Sequence, residues 1–355
     1  ANGLVPDGIA GPRTFSALAP YLRGYLLVDA ARGDTFYLLA RRYGTSPEAI
    51  ALANPDVDPY NVRLGTTLVI PLGFPVVPTD IPYSSALVGY IMEGLKRRYP
   101  FIQTGNIGRS VAGRAIPYAT LGEGSVKVGY NASHHANEWI TTPVLLKYLE
   151  RYADAYAYGR TIGGASANTL FEKTTLFLVP LVNPDGVDLV TGALGKSDPW
   201  YGKAAMLSDN YPDIPFPSGW KANITGTDLN LNYPAGWENA KRIKYAQGFT
   251  RPGPRDYVGA APVSAVESRA MHDFSVQQDF ALTLSYHTQG QVIYWRYLDY
   301  EPPRAYEIAQ AFSRVSGYSV ADVPYESGFA GYKDWFIQDY NRPGYTIEVG
   351  SGVNP

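Results

Sequence analysis

The chain reads as an α/β protein, a mixed and mostly parallel sheet flanked by helices, preceded by a small strand-helix-helix-strand unit. Two observations carry that expectation. Strand-like apolar runs at 126–131, 174–182, 280–286, 291–295 and 345–349 alternate with helix-period stretches at 139–156, 264–277 and 304–315. The first 73 residues hold a shorter pattern of their own, closed by the extended, proline-containing segment Phe74-Pro75-Val76-Val77-Pro78.

A length of 355 residues suits one large domain with one or two small ones, and a hydrophobic content of 45% is enough for a sizeable core. A net charge of −2 and a pI near 6.1 give no electrostatic footing for nucleic acid or an anionic membrane. Without cysteine there are no disulfides and no thiolate ligands, so any zinc must be held by nitrogen and oxygen. No apolar stretch approaches the roughly 20 residues of a membrane span. Ala1 falls inside what reads as a motif, so any signal peptide is expected upstream of it.

Along the chain, Asn2 to Phe15 combines turn chemistry with a helix start at Pro12. After Gly33-Asp34-Thr35, the residues Phe36, Leu39, Ala40 and Tyr43 recur at helical spacing until Gly44 stops them. A second helix follows Ser46-Pro47-Glu48 and runs through Ile50 and Leu52 to Asn54-Pro55, and Thr67-Leu68-Val69-Ile70-Pro71 closes the unit as a strand. Past the connector, a helix near Tyr83-Ser84-Ser85 carries Leu87, Tyr90, Ile91 and Leu95 on one face. Between 189 and 255 the chain is rich in Gly, Pro and aromatics with little periodicity, and a loop of that length is more often functional than idle.

The chemistry concentrates in Ser133-His134-His135-Ala136-Asn137-Glu138, between a strand run at Val126 to Tyr130 and a helical stretch from Pro143. Strand-to-helix connections are where α/β proteins keep their sites. An imidazole and a carboxylate three residues apart can converge on one Zn²⁺, with a third ligand supplied from far along the chain. His287, at the end of the run Phe280 to Ser285, is that candidate. Two histidines, one glutamate and a water make the open site of a hydrolytic zinc enzyme, in which zinc lowers the pKa of the water to about 7. His134 adjoins the ligand and is assigned a supporting or a surface role, while His272 sits on a helix and reads as structural. Glu348 is an acid inside the apolar strand Tyr345-Thr346-Ile347-Glu348-Val349, where a carboxylate is costly unless paired or working.

From about Tyr83 onward, five segments stand in the order found in the zinc carboxypeptidase family, which the chain resembles. They are His135 to Thr141, Val182-Asn183-Pro184-Asp185-Gly186, Asp228-Leu229-Asn230-Leu231-Asn232, His287 and Thr346-Ile347-Glu348. Within that family it is similar to the bacterial γ-D-glutamyl-diamino acid endopeptidases, through Gly219 to Asn223, Leu231 to Trp237 and Pro252 to Tyr257. Residues 24–73 resemble a LysM module, which binds N-acetylglucosamine-containing wall glycan, and 1–23 resemble the end of a helical peptidoglycan-binding module. The implied division is 1–23, a LysM domain at 24–73, a linker at 74–81 and a peptidase domain at 82–355. The family's domain continues past this point through one more helix, so a longer native chain is expected.

The resemblance implies one Zn²⁺ on His135, Glu138 and His287, with Asp228 orienting His135 and Glu348 as general base. Lys221 falls where the family places an arginine that polarises the scissile carbonyl, and Tyr325 matches a mobile tyrosine that covers substrate. Asn137 and Asn230 are implied substrate contacts. Leu231 is the informative departure, because carboxypeptidases have an arginine after the Asn230 position to clamp a terminal carboxylate. Endopeptidase action on peptidoglycan stem peptides follows, with diaminopimelate or lysine as the third residue and a secreted or wall-associated bacterial location. The α-carboxylate beside a γ-glutamyl amide asks for a nearby cation, and Lys221, Arg251 and Arg255 are candidates of equal rank. The competing readings are a carboxypeptidase on linear peptides and an inactive wall-binding protein.

Overall fold

The computed structural model describes residues 12–354, which form two compact units. One comprises the described residues up to 79 together with 86–104 and 147–169; the other comprises 80–85, 105–146 and 170–354. Residues 1–11 of the N-terminal module expected from the sequence lie outside the described residues, and 12–23 form helix α1 (Pro12–Arg23).

In the first unit, β1 (Tyr25–Asp29) and β2 (Thr67–Pro71) pair antiparallel, with α2 (Phe36–Tyr43) and α3 (Pro47–Ala53) between them in sequence. The expected caps are present. The Thr35 hydroxyl accepts from Leu38 N–H and the Ser46 hydroxyl from Ala49 N–H, satisfying donors that a helix start leaves free, and α2 ends at Gly44 in the left-handed conformation. Phe36, Leu39, Ile50, Leu68 and Ile70 fill the interior. Asn54 locks α3 to β2: its amide donates to the carbonyls of Ile50 and Val69, both at 2.7 Å, and accepts from Val69 N–H at 2.9 Å. Asn54→Ala leaves those buried backbone groups unpaired and is expected to destabilise this unit by about 2–3 kcal/mol. Urea titration of the full chain reads this as a lower midpoint; an unchanged midpoint would show that the amide contributes nothing.

Helix α4 (Ser85–Arg98) buries Val88, Ile91, Met92 and Leu95. Leu87 and Tyr90, expected inside, are half-buried, because the covered stripe is the i, i+3, i+4, i+7 set that starts one residue later. The Arg98 guanidinium donates to the carbonyls of Gly24, Leu72 and Phe74. In the proline-containing segment, Val76 and Val77 are buried and Val76 N–H donates to Glu150.

The second unit is built on an eight-stranded sheet. Its strands are β3 (Gln103–Arg109), β4 (Ala115–Leu121), β5 (Val126–Ala132), β8 (Thr174–Val179), β9 (Leu282–His287), β10 (Val292–Tyr294), β11 (Ser319–Ala321) and β12 (Gly344–Glu348). Within the first unit, β6 (Thr161–Ile162) and β7 (Ala165–Ser166) pair antiparallel as a two-stranded sheet of their own. The sheet order is β11-β10-β12-β9-β5-β8-β4-β3. The β10/β11, β12/β9, β9/β5 and β5/β8 pairs are parallel, while β10/β12 and β4/β8 are antiparallel, giving the expected mixed, mostly parallel sheet. Beyond the sequence expectation are β3 and β4, and β8 stops at Val179 where Pro180 follows.

The remaining helices are α5 (Thr141–Ala157), α6 (Ala167–Lys173), α7 (Pro184–Val190), α8 (Pro199–Ser208), α9 (Trp237–Ala246), α10 (Val266–Gln278), α11 (Ala305–Ser316) and α12 (Tyr332–Tyr340). Two of them, α8 and α9, lie in the stretch read as aperiodic. α8 buries only Ala204 and Ser208, and α9 only Trp237, Ala240 and Lys244, so neither writes an apolar stripe into the sequence. Separate apolar clusters form on the sheet, one around Leu284, Ile293, Tyr345 and Ile347 with α11, the other around Phe177, Phe274, Phe280, Trp335 and Phe336. Glu348 on β12 stands directly opposite His287 on β9. In-register neighbours share a face, so both side chains leave the sheet at one spot.

Candidate metal centre

The chain leaves β5 through Ser133, a non-glycine residue in the left-handed conformation (φ 53°) whose N–H and hydroxyl are held by Thr141 and Thr142. A short 3₁₀ turn, Ala136–Glu138, then presents His135 and Glu138. Ala136 and Asn137 donate their N–H groups to the carbonyls of Lys221 and Trp220, tying the turn to the long loop. Asn183 fastens the same junction by donating to the carbonyls of His134 and Ala222 while accepting from Gly186 N–H. A side chain at Gly186 would come within 2.8 Å of Ala136, which accounts for glycine there. The Asn183-Pro184-Asp185-Gly186 motif is thus a brace for the turn.

His135 Nδ1 lies 2.9 Å from Glu138 Oε1, His287 Nδ1 lies 3.0 Å from Glu138 Oε2, and the two imidazole Nδ1 atoms are 3.2 Å apart. Bonds of about 2.0–2.1 Å around a tetrahedral ion place its ligand atoms about 3.3 Å from one another; the two imidazole nitrogens stand at that spacing, each facing one oxygen of Glu138, and one donor atom from each of the three residues lies within 4.8 Å of the others, so the set fits one zinc. All three residues are buried, and both histidines present the same ring nitrogen. His135 Nε2 faces Asp228 Oδ1 at 3.1 Å, the carboxylate that fixes the tautomer a ligating imidazole needs. Asp228→Asn is expected to lower zinc affinity about 10- to 100-fold. Competition with a chromophoric chelator measures it, and unchanged affinity would separate Asp228 from the metal.

The electrostatics suit a cation. Burial opposes ionisation of Glu138, but His135 and Lys221, whose Nζ is 3.1 Å from Oε1, outweigh it and hold the carboxyl well below its usual range. Burial pushes the Glu348 carboxyl up, with Glu138 adding to the shift and His287, His135 and Lys221 opposing it. His134 is fully buried, bonded through Nε2 to the Tyr233 hydroxyl at 3.0 Å, and burial holds it neutral; it supports the centre from within, and a surface position is excluded. His272 packs its ring on Trp335, 4.4 Å between centroids, well within a structural role.

These residues open on a cavity of about 290 Å³. His135, Glu138, Lys221, Asp228, Asn230, Arg255, His287 and Glu348 all line it, as does Leu231. Tyr325, Arg251 and Asn137 do not. Tyr325 is 60% exposed in the turn Tyr325–Ser327, its ring edge-on to Phe329, although Pro324 and Ser327 beside it reach the cavity. Arg251 is exposed, and both its N–H and its carbonyl are bonded to the Tyr211 hydroxyl. Asn137 serves through its backbone in the turn. Asn230 reaches the cavity while its side-chain oxygen accepts from Tyr332 N–H.

Lys244, Asp256, Lys333 and Asp334 also line the cavity and were not read from the sequence. A signal existed for the last pair, since two charges between Tyr332 and Trp335 in an aromatic-rich helix are buried charges. For Lys244 and Asp256 the chain gives no local sign, because they meet only where α9 comes against the loop that carries Asp256, at 2.8 Å.

Comparison with known proteins agrees with the geometry. The family model described as zinc carboxypeptidase matches residues 90–354, and the LysM domain model matches 31–71. The chain is 44% identical over 273 residues to the γ-D-glutamyl-L-diamino acid endopeptidase 1 of Lysinibacillus sphaericus, covering 77% of this chain and 67% of that protein. Among solved structures, it resembles bovine thrombin-activatable fibrinolysis inhibitor (TM-score 0.57, 18% identity, 77% of this chain and 88% of that one). It also resembles carboxypeptidase A of Helicoverpa armigera (TM-score 0.56, 21% identity, 89% and 72%). At those identities the structures establish the fold.

Proposed function

The chain belongs to the zinc carboxypeptidase family and is a zinc metallopeptidase with a LysM domain, and from that premise we propose that it hydrolyses the amide between the γ-carboxyl of D-glutamate and the following diamino acid in peptidoglycan stem peptides. The observation that carries this reading is Leu231. It is buried in the wall of a cavity whose donor triangle is complete, at the position where a terminal-carboxylate clamp would need a guanidinium. Without that clamp, nothing on this wall ties hydrolysis to the last residue of a chain.

Bound zinc supplies Lewis acidity to the scissile carbonyl and acidifies the attacking water. Glu348, beside His287 on the adjacent strand, takes the proton from that water and returns it to the departing amine, a task favoured by a carboxyl titrating above its ordinary range. Lys221 keeps its charge, because the pull of Glu138 and Asp228 outweighs burial, and stabilises the developing oxyanion from the same cavity wall. Asp228 holds His135 in the tautomer whose Nδ1 is the donor.

The wall-binding part is assigned to residues 24–73, with 74–81 leading into a peptidase domain from about 82. A glycan bound there keeps the catalytic site at high effective concentration over an insoluble polymer, and the protein acts outside the cytoplasm at the wall. Among the described residues no helix is long and apolar enough to cross a membrane.

The test is a stem tetrapeptide with its C-terminus amidated. Release of the fragment ending in D-glutamate, identified by mass, supports the reading. Removal of C-terminal residues from free linear peptides, with the blocked substrate untouched, would replace it with a carboxypeptidase, and no turnover of either with zinc bound would leave a wall-binding protein.

A further inference from the structure

A γ-linked D-glutamyl residue carries a free α-carboxylate next to the bond to be cut, and the cavity must meet that charge. The census of cations around it is short. Lys221 faces Glu138, and Lys333 is enclosed, its ammonium donating to Asp334 and to the carbonyl of Arg296. Lys244 is paired with Asp256 Oδ1 at 2.8 Å, its side chain 10% exposed. Arg251 is outside the cavity. Arg255 differs from all of these. Its Nε donates to Asp256 Oδ2 at 2.6 Å, its terminal nitrogens make no hydrogen bond among the described residues, and its side chain is 42% exposed at the cavity wall.

Charge points the same way. Lys244 and Arg255 share one carboxylate, Asp256, which pairs with both cations and cannot balance both. The turn that brings them together is built at some cost, since Asp256 is a non-glycine residue in the left-handed conformation (φ 65°), a state disfavoured by roughly 1–2 kcal/mol. That conformation lets the Asp256 N–H donate to Asp228 Oδ2 at 3.2 Å while its side chain holds Arg255. The residue that orients the zinc ligand and the one that aims the guanidinium are therefore joined directly, and Arg255 is tied to His135 through three hydrogen bonds, by way of Asp256 and Asp228.

Resting on the substrate reading above, we propose that Arg255 is the specificity clamp of the site, binding the α-carboxylate of the γ-linked D-glutamyl residue through its two terminal nitrogens. A planar fork matches a carboxylate with two parallel charge-assisted bonds. It takes over, from another side of the cavity and for another carboxylate, the kind of contact that Leu231 has removed.

The experiment compares two stem peptides, one with a free D-glutamyl α-carboxylate and one with the α-carboxamide, in wild type, Arg255→Gln and Arg255→Lys, with zinc content measured for each. Wild type is expected to prefer the free acid by about 10- to 100-fold in kcat/KM, the range of a charge-assisted hydrogen bond. In Arg255→Gln that preference should vanish, the acid losing far more than the amide through a raised KM, and Arg255→Lys should recover part of it. A variant with full zinc that keeps the wild-type preference overturns the clamp, as does a wild type that treats both peptides alike. If the wild type cuts neither peptide, the substrate reading falls, and calorimetry with N-acetyl-L-Ala-D-Glu against its α-amide decides the clamp separately: tighter binding of the acid that is lost in Arg255→Gln supports it, and equal binding overturns it.

Discussion

Glu348→Gln is expected to leave the protein folded and zinc-loaded while lowering kcat by about 10²–10⁴-fold. Glutamine keeps the shape and one hydrogen-bonding oxygen of the side chain, but it cannot accept a proton at neutral pH. Because residue 348 is not among the three donors, zinc content should stay at one ion per chain, which separates a chemical defect from a lost metal. The pH profile gives a second readout. Glu348 is buried and its carboxyl is shifted upward, so the base form disappears as pH falls through a value above the ordinary 4.5, and the wild-type rate falls with it. The residual rate of the variant should lack that acid limb. A glutamine variant turning over at the full rate would remove Glu348 from the mechanism.

The residues to which this chemistry is assigned were readable in the sequence to different depths, for physical reasons. His135 and Glu138 are three apart on one turn, and Glu348 breaks an apolar strand, so each leaves a local mark. His287 is separated from His135 by the whole of β8, the long loop and α10, and only the strand that carries it identifies it. The central strands were visible because burial on both faces makes them continuously apolar. By contrast β3, at the sheet edge, reads Gln-Thr-Gly-Asn-Ile-Gly-Arg, and β4 contains Pro117; neither shows a strand's usual composition, and the pairing of β4 with β8 settles the matter in three dimensions. The cavity wall was the least legible part. Tyr325 and Arg251 looked suitable by type and position, yet one packs on Phe329 and the other lies outside the wall, because loop direction is fixed by long-range contacts. Lys244 and Asp256 come together only through tertiary folding, and no spacing rule could have joined them.

Withdrawing zinc is expected to abolish turnover and also to change how stability depends on pH. In the metal-free protein burial disfavours protonated His135, but Glu138 and Asp228 outweigh burial and raise its pKa to about 9. A histidine whose folded pKa lies above its unfolded value near 6.5 stabilises the fold fully below that value and loses the contribution as pH rises through about 9. The stripped protein should therefore melt at progressively lower temperature between pH 6.5 and 9. Zinc needs the neutral imidazole, so below about pH 9 it must displace a proton, and its apparent affinity should fall about tenfold for each unit of pH. At fixed free zinc the gain in Tm on loading then grows from pH 6.5 to 9, reaching the equivalent of about 4 kcal/mol where zinc is at 1,000 times its Kd. His287→Ala leaves two donors and should lose both the zinc-dependent stabilisation and the activity, whereas His272→Ala, in a residue packed on Trp335 away from the donor triangle, should keep both. Scanning calorimetry of stripped and loaded protein across that range checks this directly: a zinc increment that is the same at pH 6.5 and 9 would mean that His135 does not hold the competing proton.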